Sequence, residues 1–102
     1  MKWHLILTDE KSFELAVCII SKLKNDKKNN VSVFLTGRGV LLVNNSKFLS
    51  LLKKLDRCVA CEFSLEKYGI EKRSELIKYN IDIGGQFQNA ELVSISNACI
   101  CI

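Results

Sequence analysis

The segment Val31-Ser32-Val33-Phe34-Leu35-Thr36, followed by Gly37-Arg38-Gly39, decides the fold of this chain. Its first part is a run of strand length that is rich in β-branched side chains, and the two glycines indicate a sharp turn. An almost wholly apolar strand is typical of a parallel sheet, in which helices cover both faces. The segment therefore predicts a buried strand of a parallel sheet.

Strand and helix patterns alternate along the rest of the chain. Strands are predicted at residues 3–8, 31–36, 57–61, 81–83 and 98–102. Helices are predicted after residue 9, from residue 46, after residue 61, within residues 71–79 and over residues 86–97. Thr8 or Asp9 is placed to cap the first helix, and Ser46 to cap the second. Such alternation predicts an α/β protein with helices on both faces of a parallel sheet.

Length and composition indicate one globular domain over residues 1–102, with 48% hydrophobic and 25% charged residues. No uncharged apolar stretch reaches the ~18 residues of a bilayer-spanning helix, and the first apolar stretch is too short for a signal peptide. We therefore expect a cytoplasmic protein without a membrane partner. The net charge of +4 comes largely from lysines around the loop at residues 24–30. Carboxylates are interspersed and no recognition motif is present, so we expect no nucleic-acid partner.

Cys61 is the most informative single residue, because it ends a predicted strand directly before a helical turn. A helix N-terminus stabilises negative charge, and the thiolate is the nucleophilic form of cysteine. Ligands of open α/β sheets also bind at the carboxyl edge of the strands. The alternative interpretation is that Cys61 is a small buried hydrophobic residue, as most free cysteines are.

The remaining cysteines are interpreted as packing residues. The chain has five cysteines, and a reducing compartment argues against a disulfide framework. Cys58 and Cys61 have the spacing of a redox pair, but they point to opposite faces of a strand. Cys99 and Cys101 share one strand face and are expected to be buried, although on paper they offer a second pair for zinc. His4 is expected to be packed or on the surface, and we expect no metal and no cofactor.

Three segments, in order and at matching distances, carry a resemblance that covers nearly the whole chain. Phe34-Leu35-Thr36-Gly37-Arg38-Gly39-Val40 is similar to the motif FLTGDGV. Val59-Ala60-Cys61-Glu62-Phe63-Ser64-Leu65, followed by Tyr68-Gly69-Ile70, is similar to ACGTCLxxRGI. Ile81-Asp82-Ile83-Gly84-Gly85 is similar to VEIGG. Together these segments resemble the DsrE/DsrF-like sulfur-relay family.

The resemblance implies a three-layer α/β/α fold with a mostly parallel five-stranded sheet. It also implies a homo-oligomer, commonly a trimer or hexamer, or a hetero-oligomer with related subunits. Members of the family carry sulfur as a cysteine persulfide between donor and acceptor proteins, and Cys61 matches the sulfur-carrying cysteine. Backbone N–H groups near Ser64 and in the turn Gly37-Arg38-Gly39 are the expected donors to the bound group, and Arg38 is expected to lower the thiol pKa.

Four positions depart from the family pattern. Ser64 replaces a second cysteine, so no disulfide with Cys61 can form across that spacing, which favours single-cysteine relay. Tyr68 replaces an arginine and removes a cation, whereas Arg38 replaces an aspartate and adds one. Glu62 is an unfavourable negative neighbour of the thiolate if it points inward.

These observations predict a small sulfur-carrier protein that relays sulfane sulfur as a persulfide on Cys61. Two alternatives stay open. The first is a non-catalytic subunit of an oligomeric assembly, in which Cys61 is merely buried. The second is a module that binds a small ligand or nucleotide at the same cleft. The turn Gly37-Arg38-Gly39 does not have the spacing of a phosphate-binding loop, which requires a longer glycine-rich motif.

Overall fold

Five parallel strands form one sheet in the order β4-β3-β2-β1-β5 in a computed structural model that describes residues 1–102. The strands are β1 (Lys2–Leu7), β2 (Asn30–Leu35), β3 (Arg57–Cys61), β4 (Ile81–Gly84) and β5 (Ala98–Cys101). The helices are α1 (Phe13–Leu23), α2 (Ser46–Leu51), α3 (Glu62–Lys67), α4 (Arg73–Lys78) and α5 (Gln86–Ile95). Three 3-10 segments complete the chain: Glu10–Ser12, Gly37–Asn44 and Leu52–Lys54. The predicted fold class, α/β with a parallel five-stranded sheet, is confirmed.

The two faces of the sheet are covered unequally. The larger core lies on the face that receives α1, α2, α3 and α4, and Ala16, Ile20, Phe48 and Leu65 are buried in it. The other face is covered by α5, which contacts β1 and β3 but buries a single residue, Leu92. Full burial of one such aliphatic or aromatic side chain contributes about 1.5–3 kcal/mol. Most of the hydrophobic stabilisation therefore comes from the first face, and α5 is attached by few contacts.

Capping explains where two of the helical segments begin. Of the two predicted caps of the first helix, Thr8 and Asp9, it is Asp9 whose carboxylate accepts a hydrogen bond, from Lys11 N at 2.9 Å, and it caps the 3-10 segment Glu10–Ser12 that leads into α1. The N-cap residue of α1 itself, Ser12, makes no side-chain capping bond. The prediction for the second cap was wrong by one residue. Asn45 Oδ1, not Ser46, accepts from Lys47 N at 2.9 Å and from Phe48 N at 3.1 Å. Asparagine reaches two orphan N–H groups from the N-cap position, and Ser46 becomes the first helical residue.

The prediction that Cys99 and Cys101 are buried was wrong, because both are exposed. β5 is an edge strand, and these two residues lie on the face that the narrow α5 leaves partly uncovered. Ile100, on the opposite face of β5, packs against the larger core. Cys18 is also exposed, whereas Cys58 is buried in that core. Burial, with a further contribution from the charge of Asp82, raises the pKa of Cys58 to about 12.

None of the helices has the length and hydropathy that crossing a membrane would require.

Candidate functional site

Cys61 lies at the carboxyl edge of the sheet, as the last residue of β3 and the residue directly before α3. Its neighbour in the sheet is Gly84, the last residue of β4. Cys61 is 6% exposed and packs with Phe34, Val59 and Leu92 under α5. The thiol is therefore placed at the edge where α/β proteins bind ligands, but α5 covers most of it.

Ser64 joins the start of α3 to the end of β2. Its side chain is buried, and its Oγ accepts a hydrogen bond from Gly37 N at 2.9 Å. Gly37 has a φ of 55°, a left-handed conformation that glycine adopts without steric cost. The neighbouring Gly39 N donates to Thr36 O at 2.9 Å. These N–H groups hold the turn to its surroundings, and the role of the turn in ligand binding stays a prediction.

Arg38 is engaged with carboxylates at the end of β1. Its Nη2 lies 2.8 Å from Glu10 Oε1, and its Nε lies 3.8 Å from Asp9 Oδ2. All three side chains are at least one-third exposed, so solvent screens these ion pairs and each contributes little to stability. The positive charge of Arg38 is thus shared with two carboxylates and is not a free cation beside the thiol.

Glu62, the negative residue next to Cys61, forms an ion pair on the surface. Arg73 Nη2 donates to Glu62 Oε1 at 2.9 Å and lies 3.4 Å from Glu66 Oε1. The hydrogen bond and charge of Glu62, followed by the charge of Glu66, raise the pKa of Arg73. Arg73 therefore offsets part of the negative charge that Glu62 brings to this edge.

His4 forms a buried polar network between the sheet and α5. Its Nδ1 lies 2.7 Å from Ser32 Oγ, and its Nε2 lies 2.8 Å from Asn89 Oδ1. The amide oxygen of Asn89 can only accept, so Nε2 carries the proton and Nδ1 accepts from the Ser32 hydroxyl. Of the two placements left open for His4, packed or on the surface, the structure has the packed one, and its partners follow from strand register and helix placement. Burial lowers the pKa of His4, against the two hydrogen bonds that raise it.

We expect His4 to make the fold less stable in mild acid. Its pKa is lowered in the folded state relative to about 6.5 in the unfolded chain, so just below that pH the unfolded chain binds more protons. The contribution of neutral His4 to the free energy of unfolding is complete above about pH 6.5, and it is lost as the pH falls toward the pKa of His4 in the folded state. Urea titrations between pH 7.5 and pH 5 should show that the free energy of unfolding falls more steeply with decreasing pH for wild type than for His4→Gln. Parallel pH profiles for the two proteins would contradict this assignment.

The largest surface concavity lies away from Cys61. It has a volume of about 430 Å³ and is lined by α2, the 3-10 segment after it and the residues that follow α4, including Leu49, Lys53 and Tyr79. No group of three or more His, Cys, Asp or Glu side chains is arranged to hold a metal ion. The geometry around Cys61 thus consists of a covered thiol, a tightly bonded turn and ion pairs on its rim.

The fold is that of a known class of α/β protein with one five-stranded parallel sheet. The crystal structure of the YchN protein from E. coli superposes with a TM-score of 0.74 at 13% sequence identity, covering 100% of both chains. A conserved protein of unknown function from Bacteroides thetaiotaomicron superposes with a TM-score of 0.70 at 15% identity, covering 99% of this chain and 94% of its own. No protein-family model and no curated protein sequence matches the chain. The likeness concerns the fold.

Proposed function

We propose that the protein carries sulfane sulfur as a persulfide on Cys61 and transfers it to a partner thiol. The observation that carries this proposal is the position of Cys61 at the strand-to-helix junction on the carboxyl edge of the sheet. The YchN-type fold and the sequence resemblance to DsrE/DsrF-like proteins support it. Among the cysteines, Cys61 is the one on which the sequence motif and the strand edge coincide.

The chemistry requires a single nucleophilic sulfur. The Cys61 thiolate attacks the outer sulfur of a donor persulfide, R–S–SH. A new sulfur–sulfur bond forms on Cys61, the donor bond breaks, and the donor leaves as the thiolate R–S⁻. An acceptor thiolate then attacks the outer sulfur on Cys61, which regenerates the Cys61 thiolate. Both steps are exchanges without net oxidation, so no redox cofactor is consumed.

Two features near Cys61 favour a transient anion, in contrast to its apolar packing partners. The residue immediately precedes α3, and the positive end of a helix dipole favours negative charge. Arg73 offsets the charge of Glu62, which would otherwise oppose a thiolate. Ser64 in place of a second cysteine leaves no resolving thiol at that position. Release of the sulfur to a partner protein is therefore favoured over an internal disulfide.

A second candidate function follows from the burial of the same residue. Cys61 is only 6% exposed, and thiol exchange requires a free line of approach to the sulfur. A subunit that serves only in assembly with identical or related chains would have such a buried cysteine. The carrier function instead requires that α5 or the strand edge moves enough to admit a partner.

Assembly into a homo-oligomer or hetero-oligomer belongs to both functions. The β5 edge is unpaired, and Cys99 and Cys101 lie exposed on its partly covered face. On α5, Val93 and Ile95 are 39% and 57% exposed. Unpaired strand edges and exposed apolar side chains are features that subunit contacts cover.

We expect sulfur loading to depend on Cys61 alone once the exposed thiols are removed. The parent for this test is the variant Cys18→Ser/Cys99→Ser/Cys101→Ser, because these exposed thiols would react as well. After treatment with cysteine persulfide, intact-mass spectrometry should show one added sulfur, and a further Cys61→Ser change should abolish it. Cys58→Ser is the matched control and should load like the parent, because burial and the raised pKa keep Cys58 protonated.

Loading that persists without Cys61 would refute the carrier function. An absence of loading in the parent, with Cys61 resistant to alkylation in the folded state, would favour the assembly subunit. Gain of one sulfur that is then lost to an added thiol would establish both halves of the relay.

A further inference from the structure

Two phenylalanines at the Cys61 edge are the most exposed of the large hydrophobic side chains. Phe63 and Phe87 are each 73% exposed, whereas every other phenylalanine is buried or half-buried. A single exposed apolar residue is ordinary on a protein surface. Here, however, both aromatic rings occur within three residues of the strand pair that contains Cys61 and Gly84. Their shared position requires an explanation.

The two rings lie on helices that leave this edge over opposite faces of the sheet. Phe63 is the second residue of α3, and Leu65 of that helix is buried in the larger core. Phe87 is the second residue of α5, and Leu92 of that helix packs with Cys61 on the other face. The edge that presents the candidate thiol is therefore flanked by an aromatic side chain on each side.

Both arginines at this edge, Arg38 and Arg73, are paired with carboxylates. Arg73 binds Glu62 and Glu66, and Arg38 binds Asp9 and Glu10 at the neighbouring strand ends, as described above. These pairs shield the two guanidinium groups from a small anion. What remains for recognition is apolar and aromatic, and aromatic residues are the side chains most enriched among the anchors of protein interfaces.

We propose that Phe63 and Phe87 dock the sulfur-transfer partner, and that this partner is a protein presenting its persulfide or thiol within an apolar, uncharged segment. The proposal rests on the carrier function of Cys61. An anion such as free polysulfide gains nothing from two phenyl rings, because it must keep its hydration. An apolar segment buries both rings and holds its sulfur over the strand edge, which raises the effective concentration of the reacting groups.

The test compares two sulfur donors on one set of variants. The donors are sodium polysulfide and a synthetic peptide persulfide, acetyl-Leu-Leu-Cys(persulfide)-Leu-amide. The variants are Phe63→Ser, Phe87→Ser and the double change, each in the parent without exposed thiols. Ile77→Ser is the matched control, since Ile77 is 64% exposed on α4 at the opposite end of the strands. Intact-mass spectrometry gives the initial rate at which Cys61 gains one sulfur.

We expect the double change to slow loading from the peptide about tenfold or more, as the loss of two interface anchors implies. The rate of loading from polysulfide should stay within about twofold of the rate of the parent, since two surface changes leave Cys61 and the approach of a small donor to it unchanged. Ile77→Ser should alter neither rate. Thermal melts and far-UV spectra check that each variant is folded.

An equal fall in loading rate with both donors would mean that the two rings support the structure around Cys61 and do not bind the partner. That result would overturn the docking proposal. Peptide loading that is unchanged in the double variant would overturn it as well, while leaving the carrier function standing. If the parent gains sulfur from neither donor, the carrier function fails first and the docking proposal falls with it.

Discussion

Gly39→Ala is expected to destabilise the fold by about 3 kcal/mol or more, a cost typical of forced overpacking. A Cβ atom at this position would lie 2.0 Å from Leu7 O and 2.8 Å from Leu7 C. Both are backbone atoms at the end of β1, so neither can rotate away as a side chain would. For a chain of this size the change corresponds to a fall in Tm of about 12–20 °C, measurable by circular dichroism.

Gly85→Ala provides the matched control for Gly39→Ala. A Cβ atom at Gly85 meets no atom within 4 Å, and the φ of −143° is ordinary extended backbone. Its cost should stay near 1 kcal/mol or below, which reflects the preference for glycine over alanine at an N-cap. Equal destabilisation by the two alanines would show that the approach of the Gly39 backbone to β1 is not what the turn requires.

The second large effect is expected from Leu92→Ala, which removes the only buried side chain of α5. Truncation of a buried leucine to alanine costs about 2–5 kcal/mol. Because α5 has no other buried side chain, we expect the loss to appear as local detachment of this helix before global unfolding. Cys61 packs directly with Leu92, so its rate of alkylation by iodoacetamide should rise about 10–100-fold.

Val93→Ala is the control for this effect. Val93 is the next residue on the same helix and is 39% exposed, so its truncation should change stability by about 0.5 kcal/mol or less. The alkylation rate of Cys61 should then match that of the parent without exposed thiols. If Leu92→Ala lowers the global stability but leaves Cys61 unreactive, access to the thiol is controlled by some other element than α5.

Weak attachment of α5 has a consequence for the proposed relay. A persulfide carrier has to protect its sulfur from solvent thiols and yet expose it to a partner. The cover over Cys61 is a helix held by Leu92 and by the polar contact between Asn89 and His4. Elements with few buried contacts open locally at a low cost in free energy, and the lids that cover functional sites are commonly elements of this kind. A partner that binds the Phe63–Phe87 edge would therefore meet a cover that is able to move.

Local patterns in the sequence were sufficient for the strands. β3 begins and ends at the predicted residues, and β2 is shifted by one residue at each end. Their signal is strong because an apolar run of β-branched residues bounded by polar residues has few other structural interpretations. The second helix cap was assigned one residue late, since Asn45 and Ser46 are both good N-cap residues and only the backbone geometry distinguishes them.

Patterns were not sufficient where burial depends on the position of a strand within the sheet. Cys99 and Cys101 lie in an apolar run, which predicts burial, yet β5 is an edge strand and one of its faces is only partly covered. Strand order is set by the crossover connections and by which helix covers which face. A run of residues read along the chain carries no record of that order.

By itself the sequence determined that this is a parallel α/β chain with a cysteine at the carboxyl end of its third strand. Apolar segments of strand length and of helix length can be recognised from neighbouring residues alone. The end of a strand can be recognised in the same way, because the apolar run gives way to polar residues there. Only the tertiary structure decided that Leu92 covers Cys61 and that Arg38 is bound to Glu10. It also decided that Phe63 and Phe87 flank the same edge. Those relations join residues distant in the chain, and they arise from packing and register rather than from local propensity.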